Sequence, residues 1–247
     1  MYCYVYDELL QDKRYEREVD LLETRLTDLG IMGKVVRLAL FRDALQVIRD
    51  EIKHGITTFV AVGTDQTLKK VLQATADTKV TVGYLPVGSA AQPMADLLGI
   101  PQGVVACDVL SARLVEEIDV GEVNGRRFLH SATMDGTGVT IFCEDSYTVT
   151  PLKRCSLELR NLTAPDAAGE VSPTDGKVTL ILRHPKFSLF SRKETFSKIP
   201  LTKMRIFVPK QGTMIADGEK IVAQEFEVRA LAGRLRVISG KGRKFGV

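Results

Sequence analysis

The sequence predicts an α/β domain followed by a β-rich sandwich made mostly of antiparallel strands. In the first hundred residues, short β-branched runs alternate with stretches of helical periodicity, which is typical of a parallel sheet with flanking helices. Beyond about residue 105, extended runs follow one another with little helical periodicity. We therefore predict an α/β domain at 1–105, a β-rich domain at 106–240 and a solvated basic tail at 241–247.

The first domain is predicted to contain four strands separated by helices. The strands lie at 2–6, 35–40 and 58–62 and in the segment KVTVGYLP. The third strand is apolar enough to be buried on both faces of a sheet. The helices are indicated by apolar residues at helical spacing, which are Tyr15, Val19, Leu22, Leu26 and Leu29, then Leu45, Ile48 and Ile52, then Leu68, Val71 and Leu72, and finally a short stretch at 93–98.

A glycine loop follows each of the last two strands, at Gly63 and Gly88. The carboxyl ends of neighbouring parallel strands meet at one edge of a sheet, so both loops should line one ligand-binding cleft. In VAVGTDQTLKKVL, 60–72, a strand, a tight loop and a helix start follow one another. This arrangement binds anions, because unpaired backbone N–H groups and the positive end of the helix dipole converge there. Gln66 lies where such a loop usually has no side chain.

The second half of the chain contains clear turn and loop signals. Asn124-Gly125 suits a type I′ turn between two extended runs. The stretch 163–176 is predicted to be a loop because it is rich in Pro, Gly, Asp and Ala. Further extended pieces are predicted at 139–149, 155–161, 177–183, 203–208, 225–231 and 234–239.

Composition limits the classes of partner and compartment. The 34 Lys and Arg against 31 Asp and Glu leave a net charge of only +3, so we expect no nucleic-acid partner. The four cysteines form no CxxC pair and are expected to be buried thiols in a reducing environment. There is no signal-peptide pattern and no run near the roughly 20 apolar residues of a membrane span. We therefore expect a soluble cytoplasmic protein.

Three motifs occur in a particular order along the chain. They are Gly63-Thr64-Asp65-Gln66-Thr67, the loop from Pro86 to Gln92, and Asp217-Gly218-Glu219. Together with LLGIP at 97–101 and the hairpin segment at 118–129, they resemble the diacylglycerol kinase and sphingosine kinase superfamily of lipid kinases, which is more distantly related to NAD kinases. That family carries Gly-Gly-Asp-Gly-Thr, then Pro-x-Gly-Thr-Gly-Asn-Asp, then a β-sandwich with Asp-Gly-Glu near its end.

The resemblance implies an enzyme that uses ATP and Mg²⁺ to phosphorylate a lipid hydroxyl such as that of diacylglycerol. Asp217 would be the general base, and Asp65 would bind Mg²⁺ indirectly or orient the acceptor hydroxyl. No residue is assigned as a direct metal ligand. The nucleotide would contact Gly63, Thr64, Gln66, Thr67, Gly88, Ser89 and Glu219. The residues by themselves also fit simpler structural roles, a helix N-cap for Asp65 and a β-turn for Asp217.

The motifs depart from the family pattern in three loops. Thr64 and Gln66 replace glycines, and their side chains are expected to restrict positive φ and to fill space near a phosphate. Ser89-Ala90-Ala91-Gln92 replaces Thr-Gly-Asn-Asp, and the segment 132–137 lacks the glycines of the family's AGIGFD. Three hypotheses remain open: a working lipid kinase, a non-catalytic relative that serves as a binding or scaffold protein, and an NAD kinase.

A lipid acceptor would require contact with a membrane. The segment 183–198 interleaves basic residues with phenylalanines and is predicted to touch a bilayer surface transiently, which would make the protein peripheral to the membrane. The alternative is a strand pair whose phenylalanines face the core. The sequence leaves the identity of the acceptor alcohol and the oligomeric state open.

Overall fold

The computed structural model describes residues 1–38, 44–76, 78–88, 91–185 and 194–245. Contacts divide the chain into two compact units. The first unit comprises residues 1–118 and the C-terminal residues 234–245, and the second comprises 119–233. The sequence-based boundary at 105 lies at the start of a helix of the first unit.

The first unit contains a parallel sheet with helices in the connections. Its strands are β1 (Tyr2–Tyr6), β2 (Gly33–Arg37), β3 (Thr58–Gly63) and β4 (Thr81–Pro86), in the order β4-β3-β1-β2. Its helices are α1 (Glu16–Asp28), α2 (Ala44–Lys53), α3 (Asp65–Thr75), α4 (Pro93–Leu98) and α5 (Val105–Ala112), and two 3₁₀ turns, Glu8–Gln11 and Lys13–Tyr15, follow β1. Every residue of β3 and β4 is buried, as predicted for β3.

The second unit is built from antiparallel strands. These are β5 (Val115–Val123), which begins in the first unit, β6 (Arg126–Phe128), β7 (Ser131–Asp135), β8 (Thr140–Cys143), β9 (Tyr147–Val149), β10 (Ser156–Arg160), β11 (Val178–Pro185), β12 (Glu194–Leu201), β13 (Lys203–Ala216) and β14 (Glu219–Ile238), which ends in the first unit. The main order is β12-β11-β10-β7-β13-β14. Inward-facing residues such as Leu157, Leu180, Ile206, Met214 and Phe226 form its core. The predicted fold class, α/β followed by a strand-rich antiparallel region, is confirmed.

Two-residue turns join the hairpins of the second unit. Val123 pairs with Arg126 across Asn124 (φ 48°) and Gly125 (φ 77°), the two positive φ values of a type I′ turn. Ala216 pairs with Glu219 in the same way across Asp217 (φ 46°) and Gly218 (φ 93°). The Asn-Gly prediction is confirmed, and the Asp-Gly pair is also a tight turn.

The predicted loop at 163–176 is anchored by buried polar groups. The Asp119 carboxylate accepts hydrogen bonds from Gly176 N (2.7 Å) and Gly233 N (2.8 Å). The Arg160 guanidinium, 6% exposed, donates to both oxygens of Asp166 at 2.8 and 2.7 Å. The Asp166 pKa is held well below its usual range by this guanidinium. The loop is therefore fixed to the sheet although it has almost no regular structure.

The structure differs from the sequence-based prediction at several elements. Helix α5 was not predicted, because VACDVLSA is only about two turns long, and it forms by burying Ala106, Cys107 and Leu110. Strand β7 was also missed, whereas β12 pairs with β11 as the strand-pair alternative for 183–198 expected. The two pieces predicted at 225–231 and 234–239 belong to one strand, β14.

The C-terminal residues are packed, whereas the sequence predicted a solvated tail. Phe245 is 1% exposed, Lys244 N donates to Leu97 O at 2.9 Å, and Arg243 forms an ion pair with Glu116 at 3.0 Å. A Cβ on Gly99 would lie 2.4 Å from Arg243 N, so the glycine of the LLGIP segment permits this approach. None of the helices in the described ranges combines the length and apolarity that a bilayer crossing requires.

Candidate functional site

The carboxyl ends of β1 and β3 meet at Asp7 and Gly63. Tyr6 pairs with Val62 in the parallel register, and Asp7 N donates to Val62 O at 2.8 Å. Gly63 has a φ of +143°, and a Cβ there would lie 2.4 Å from the Asp7 Cβ. The first glycine of the motif is therefore required by its own backbone conformation and by the close approach of Asp7. Its predicted contact with a phosphate stays a prediction.

The Asp7 carboxylate lies at the N-terminus of α3. Its Oδ2 accepts hydrogen bonds from the hydroxyls of Thr64, at 3.1 Å, and Thr67. Its Oδ1 accepts from Leu9 N at 3.1 Å, which caps the first 3₁₀ turn. Burial alone would raise the pKa of Asp7, but the hydrogen bonds from Thr67, Leu9 and Thr64 outweigh it and lower the pKa. The side chain is therefore a carboxylate at neutral pH.

Sequence reasoning missed Asp7. The signal was present, because an aspartate directly follows the buried strand β1, and carboxyl ends of neighbouring parallel strands share one edge. The hydroxyl of Thr67, predicted to face phosphate oxygens, is bonded to this aspartate and is 1% exposed.

Asp65 connects the first glycine loop to the start of α4. Its Oδ1 accepts from the Tyr84 hydroxyl at 3.0 Å, and its Oδ2 accepts from Met94 N at 2.9 Å. The N-cap of α3 is Thr64, which makes no side-chain capping bond. Asp65 thus satisfies an N-terminal amide of α4 rather than of its own helix.

Tyr84, on β4, is a second residue that sequence reasoning missed. Its buried hydroxyl also lies 3.3 Å from Gly63 O and bonds to Oε1 of Gln92. Gln92 in turn donates from Nε2 to Val87 O at 3.1 Å. Burial and the Asp65 carboxylate raise the pKa of Tyr84 far above its usual range, so the hydroxyl keeps its proton. This one side chain joins the first and second glycine loops.

Gln66 does not obstruct the turn in the way that the sequence suggested. It is exposed on the first turn of α3. Thr64 has an ordinary extended conformation with φ −94°, and Gln66 is not among the described non-glycine residues with positive φ. Neither position therefore needs the positive φ that a side chain restricts, and whether the two side chains fill space near a phosphate stays a prediction.

The second loop is described only in part. Gly88 has a φ of +110°, and the nearest atom to a Cβ built there belongs to the Tyr15 ring at 3.9 Å. Ser89, predicted to contact the nucleotide, lies outside the described residues, as does Ala90. Gln92 is 4% exposed and holds the end of the loop.

In the second unit, Asp217 binds the connection between β6 and β7. Its carboxylate accepts from three successive backbone N–H groups, those of Leu129 (2.6 Å), His130 (3.1 Å) and Ser131 (3.0 Å). Its own N–H donates to Ser131 O at 2.9 Å. Glu219 is half exposed and pairs with Arg126 at 3.2 Å. The general-base role of Asp217 and the nucleotide contact of Glu219 stay predictions.

A groove of about 700 Å³ extends from this turn within the second unit. Ile215 and Thr213 lie on β13 at two-residue intervals from Asp217, and Ile215 pairs with Thr133 of β7. Asp217 itself lies in the turn after β13, and the lining of the groove includes Ile215, two residues before it. Its polar lining comes from Thr133, Asp135, Arg154, Ser156, Glu158, Arg183 and Thr213.

The carboxylates fit a metal that is carried by a nucleotide better than one held by protein alone. Within the described ranges, no three His, Cys, Asp or Glu side chains are placed to hold one ion. A nucleotide-bound Mg²⁺ needs only one or two carboxylates, because phosphates and water supply its other ligands. Asp65, the first residue of α3, provides one such carboxylate.

Residues 9–123 match the sequence model of the diacylglycerol kinase catalytic domain. A probable lipid kinase YegS-like protein of Pseudomonas aeruginosa is 37% identical over 93 residues, which are 37% of this chain and 30% of that protein. A diacylglycerol kinase of Bacillus subtilis is 31% identical over 94 residues, which are 36% of this chain and 31% of that protein. The chain thus covers about 30% of the length of the curated relatives it matches.

The fold also matches solved structures. The crystal structure of a diacylglycerol kinase from Bacillus anthracis str. Sterne aligns with a TM-score of 0.82, over 98% of this chain and 97% of that chain, at 14% identity. Likeness at this identity concerns the fold alone. Residues 9–123 are thus similar to the diacylglycerol kinase catalytic domain, and the resemblance predicted from the motifs is confirmed. The relatives and solved structures named here are all described as lipid or diacylglycerol kinases, so the more distant relation to NAD kinases is not needed to explain the matches.

Proposed function

We propose that the protein is a lipid kinase that transfers the γ-phosphoryl group of ATP to a lipid hydroxyl of the diacylglycerol type. The observation that supports this most is the match of residues 9–123 to the diacylglycerol kinase catalytic domain, since that range includes both glycine loops and α3. When bound, Mg²⁺ would neutralise charge on the phosphates, with Asp65 acting on it indirectly. Nucleotide contacts are proposed for Gly63, Thr64, Gln66, Thr67, Gly88, Ser89 and Glu219, that of Gln66 through its backbone N–H only.

The groove beside Asp217 suits the acceptor. Its mixed lining offers the exposed Ile215 to an apolar chain and arginines, acids and hydroxyls to a polar headgroup. Asp217 would take the proton of the acceptor hydroxyl while that oxygen bonds to the γ-phosphorus and the bond to the β-phosphate oxygen breaks. The products are a lipid phosphate and ADP. Three backbone N–H groups hold this carboxylate in place, and that of His130 donates to both of its oxygens.

Transient membrane contact is part of this proposal. Phe196, on the edge strand β12, is 37% exposed, so this member of the basic and aromatic segment does not face the core. Lys186, Phe187, Phe190, Arg192 and Lys193 of that segment lie outside the described residues. The cytoplasmic location stays a prediction.

The decisive experiment measures phosphate transfer from labelled ATP with Mg²⁺ to a panel of lipid acceptors in mixed micelles. We expect transfer to a diacylglycerol-type lipid. Asp217→Asn should reduce it by about a hundredfold or more, a typical loss for a general base. Glu219→Gln, two positions away, removes a half-exposed charge and should have a smaller effect. Wild-type transfer no higher than that of Asp217→Asn would refute the proposal.

A specific observation supports a second candidate, a non-catalytic relative that serves as a binding or scaffold protein. The Thr64 and Thr67 hydroxyls and both oxygens of Asp65 are bonded to protein groups, so these groups are satisfied without a nucleotide. Saturable thermal stabilisation by ATP and Mg²⁺ would count against this candidate, whereas no stabilisation and no transfer to any lipid or to NAD would favour it.

A further inference from the structure

The donors at the N-terminus of α3 already have an anionic acceptor. The two threonine hydroxyls of the first loop, Thr64 and Thr67, converge on Oδ2 of Asp7, and the Thr64 backbone N–H also bonds to this carboxylate. These are the groups that a phosphate would use at a strand–loop–helix turn. We infer that Asp7 is an internal anion that competes with nucleotide phosphates for this turn and sets their affinity. This inference rests on the proposed nucleotide site.

The position of Asp7 is fixed from three sides. Its backbone N–H is bonded to Val62 O at 2.8 Å, its Oδ1 to Leu9 N at 3.1 Å, and its Cβ fills the space left by the missing side chain of Gly63. The carboxylate therefore cannot leave the turn by a simple rotation without giving up these hydrogen bonds. A phosphate must displace it or bind at other donors.

Charge makes the competition strong. The hydrogen bonds that lower the pKa of Asp7 keep it ionised at neutral pH. A phosphate entering the turn would meet this negative charge at short range, where like charges repel with little screening by water. The repulsion should be greater for free ATP than for Mg·ATP, because the metal removes two negative charges.

The alternative role for a carboxylate at this place is to bind the Mg²⁺ of Mg·ATP. For a variant that neutralises Asp7, this role predicts the opposite change in the affinity for Mg·ATP. Competition predicts that neutralising Asp7 tightens the binding of both forms of ATP. A metal-ligand role predicts weaker binding of Mg·ATP and tighter binding of free ATP. The two forms of ATP therefore separate the two roles.

Isothermal titration of the full chain with free ATP and with Mg·ATP tests the inference. Asp7→Asn removes the charge and keeps an acceptor oxygen for the hydroxyls. We expect about tenfold tighter binding of free ATP and a smaller gain for Mg·ATP. The matched control is Asp12→Asn, because Asp12 caps the second 3₁₀ turn through Arg14 N at 2.9 Å and lies outside the α3 turn. The affinities of Asp12→Asn for both forms of ATP should remain within twofold of those of the wild type.

Unchanged or weaker binding of free ATP by Asp7→Asn overturns the inference, and so does weaker binding of Mg·ATP alone. Should Asp7→Asn fail to fold, Asp7→Ser, which keeps a small capping side chain, is measured against the same limits. The lipid transfer assay separates this result from the proposed function. Transfer by the wild type without tighter binding in the variant refutes only the inference, tighter binding without transfer refutes only the kinase, and no ATP binding by any variant refutes both.

Discussion

The turn after β3 and the turn between β13 and β14 each carry a predicted catalytic aspartate, but the two carboxylates are held differently. Asp65 is held by one side-chain hydroxyl, from Tyr84, and one helix amide, from Met94. Asp217 is held by three successive backbone amides of the β6–β7 connection. A single substitution at residue 84 can remove a partner of Asp65, whereas the backbone partners of Asp217 are kept by every substitution except one to proline. The position of a motif aspartate can thus be fixed by a side chain in one region of the molecule and by backbone groups in another.

The largest expected change tests the close packing of the first turn. Gly63→Ala would place a Cβ 2.4 Å from the Asp7 Cβ at a φ of +143°. Strain and overpacking together should lower the free energy of unfolding by about 3 kcal/mol or more. Gly55→Ala is the control, because Gly55 has a φ of +86° with no atom near the added Cβ, and it should lose about 1 kcal/mol. Equal losses in urea unfolding would contradict the role assigned to Asp7.

The difference between the two carboxylates predicts unequal stability losses. Asp217→Ala leaves three backbone N–H groups without their acceptor and should lower the free energy of unfolding by about 2 kcal/mol. Asp65→Ala leaves one backbone N–H and one hydroxyl, and the hydroxyl can still donate to Gln92, so we expect about 1 kcal/mol. Urea unfolding of both variants measures the difference. A larger loss for Asp65→Ala would reverse the comparison.

Tyr84→Phe tests whether the side-chain link matters beyond stability. It removes a buried hydroxyl and should lower the free energy of unfolding by about 1 kcal/mol. Tyr6→Phe is a matched control, since the buried Tyr6 also donates to a carboxylate, that of Glu23, at 3.0 Å. Only Tyr84→Phe should weaken ATP binding, because only Tyr84 joins the two glycine loops. Equal ATP affinities in the two variants would show that the link is purely structural.

The smallest change is expected at Gln66, the residue that looked most out of place in the sequence. Gln66→Gly should lower the free energy of unfolding by no more than about 1 kcal/mol and should alter ATP affinity less than about twofold, because the side chain is exposed. Lys70→Gly, exposed later in α3, controls for helix propensity. A tenfold gain in ATP affinity for Gln66→Gly alone would show that this side chain obstructs the nucleotide.

Local pattern was sufficient for most of the fold. The continuous apolar run at 58–62, the helical spacing after Tyr15 and the Asn124-Gly125 pair each predict a structure that depends on neighbouring residues. The local sequence pattern did not predict helix α5, because this helix depends on burial of Ala106 and Leu110. It failed again at the C-terminus, where a sequence that looks solvated is packed through Phe245. In both places distant contacts outweigh the local preference.

By itself the sequence determined the strand–loop–helix order, the Asp-Gly turn and the family resemblance, because these depend on residues close together in the chain. Only the tertiary structure decided what each functional side chain contacts. Asp7 meets Thr67 across 60 positions, Asp65 meets Met94 across 29, and Asp217 meets Leu129 across 88. Hydrogen bonding depends on distance and direction in space, and no local spacing encodes either for residues so far apart.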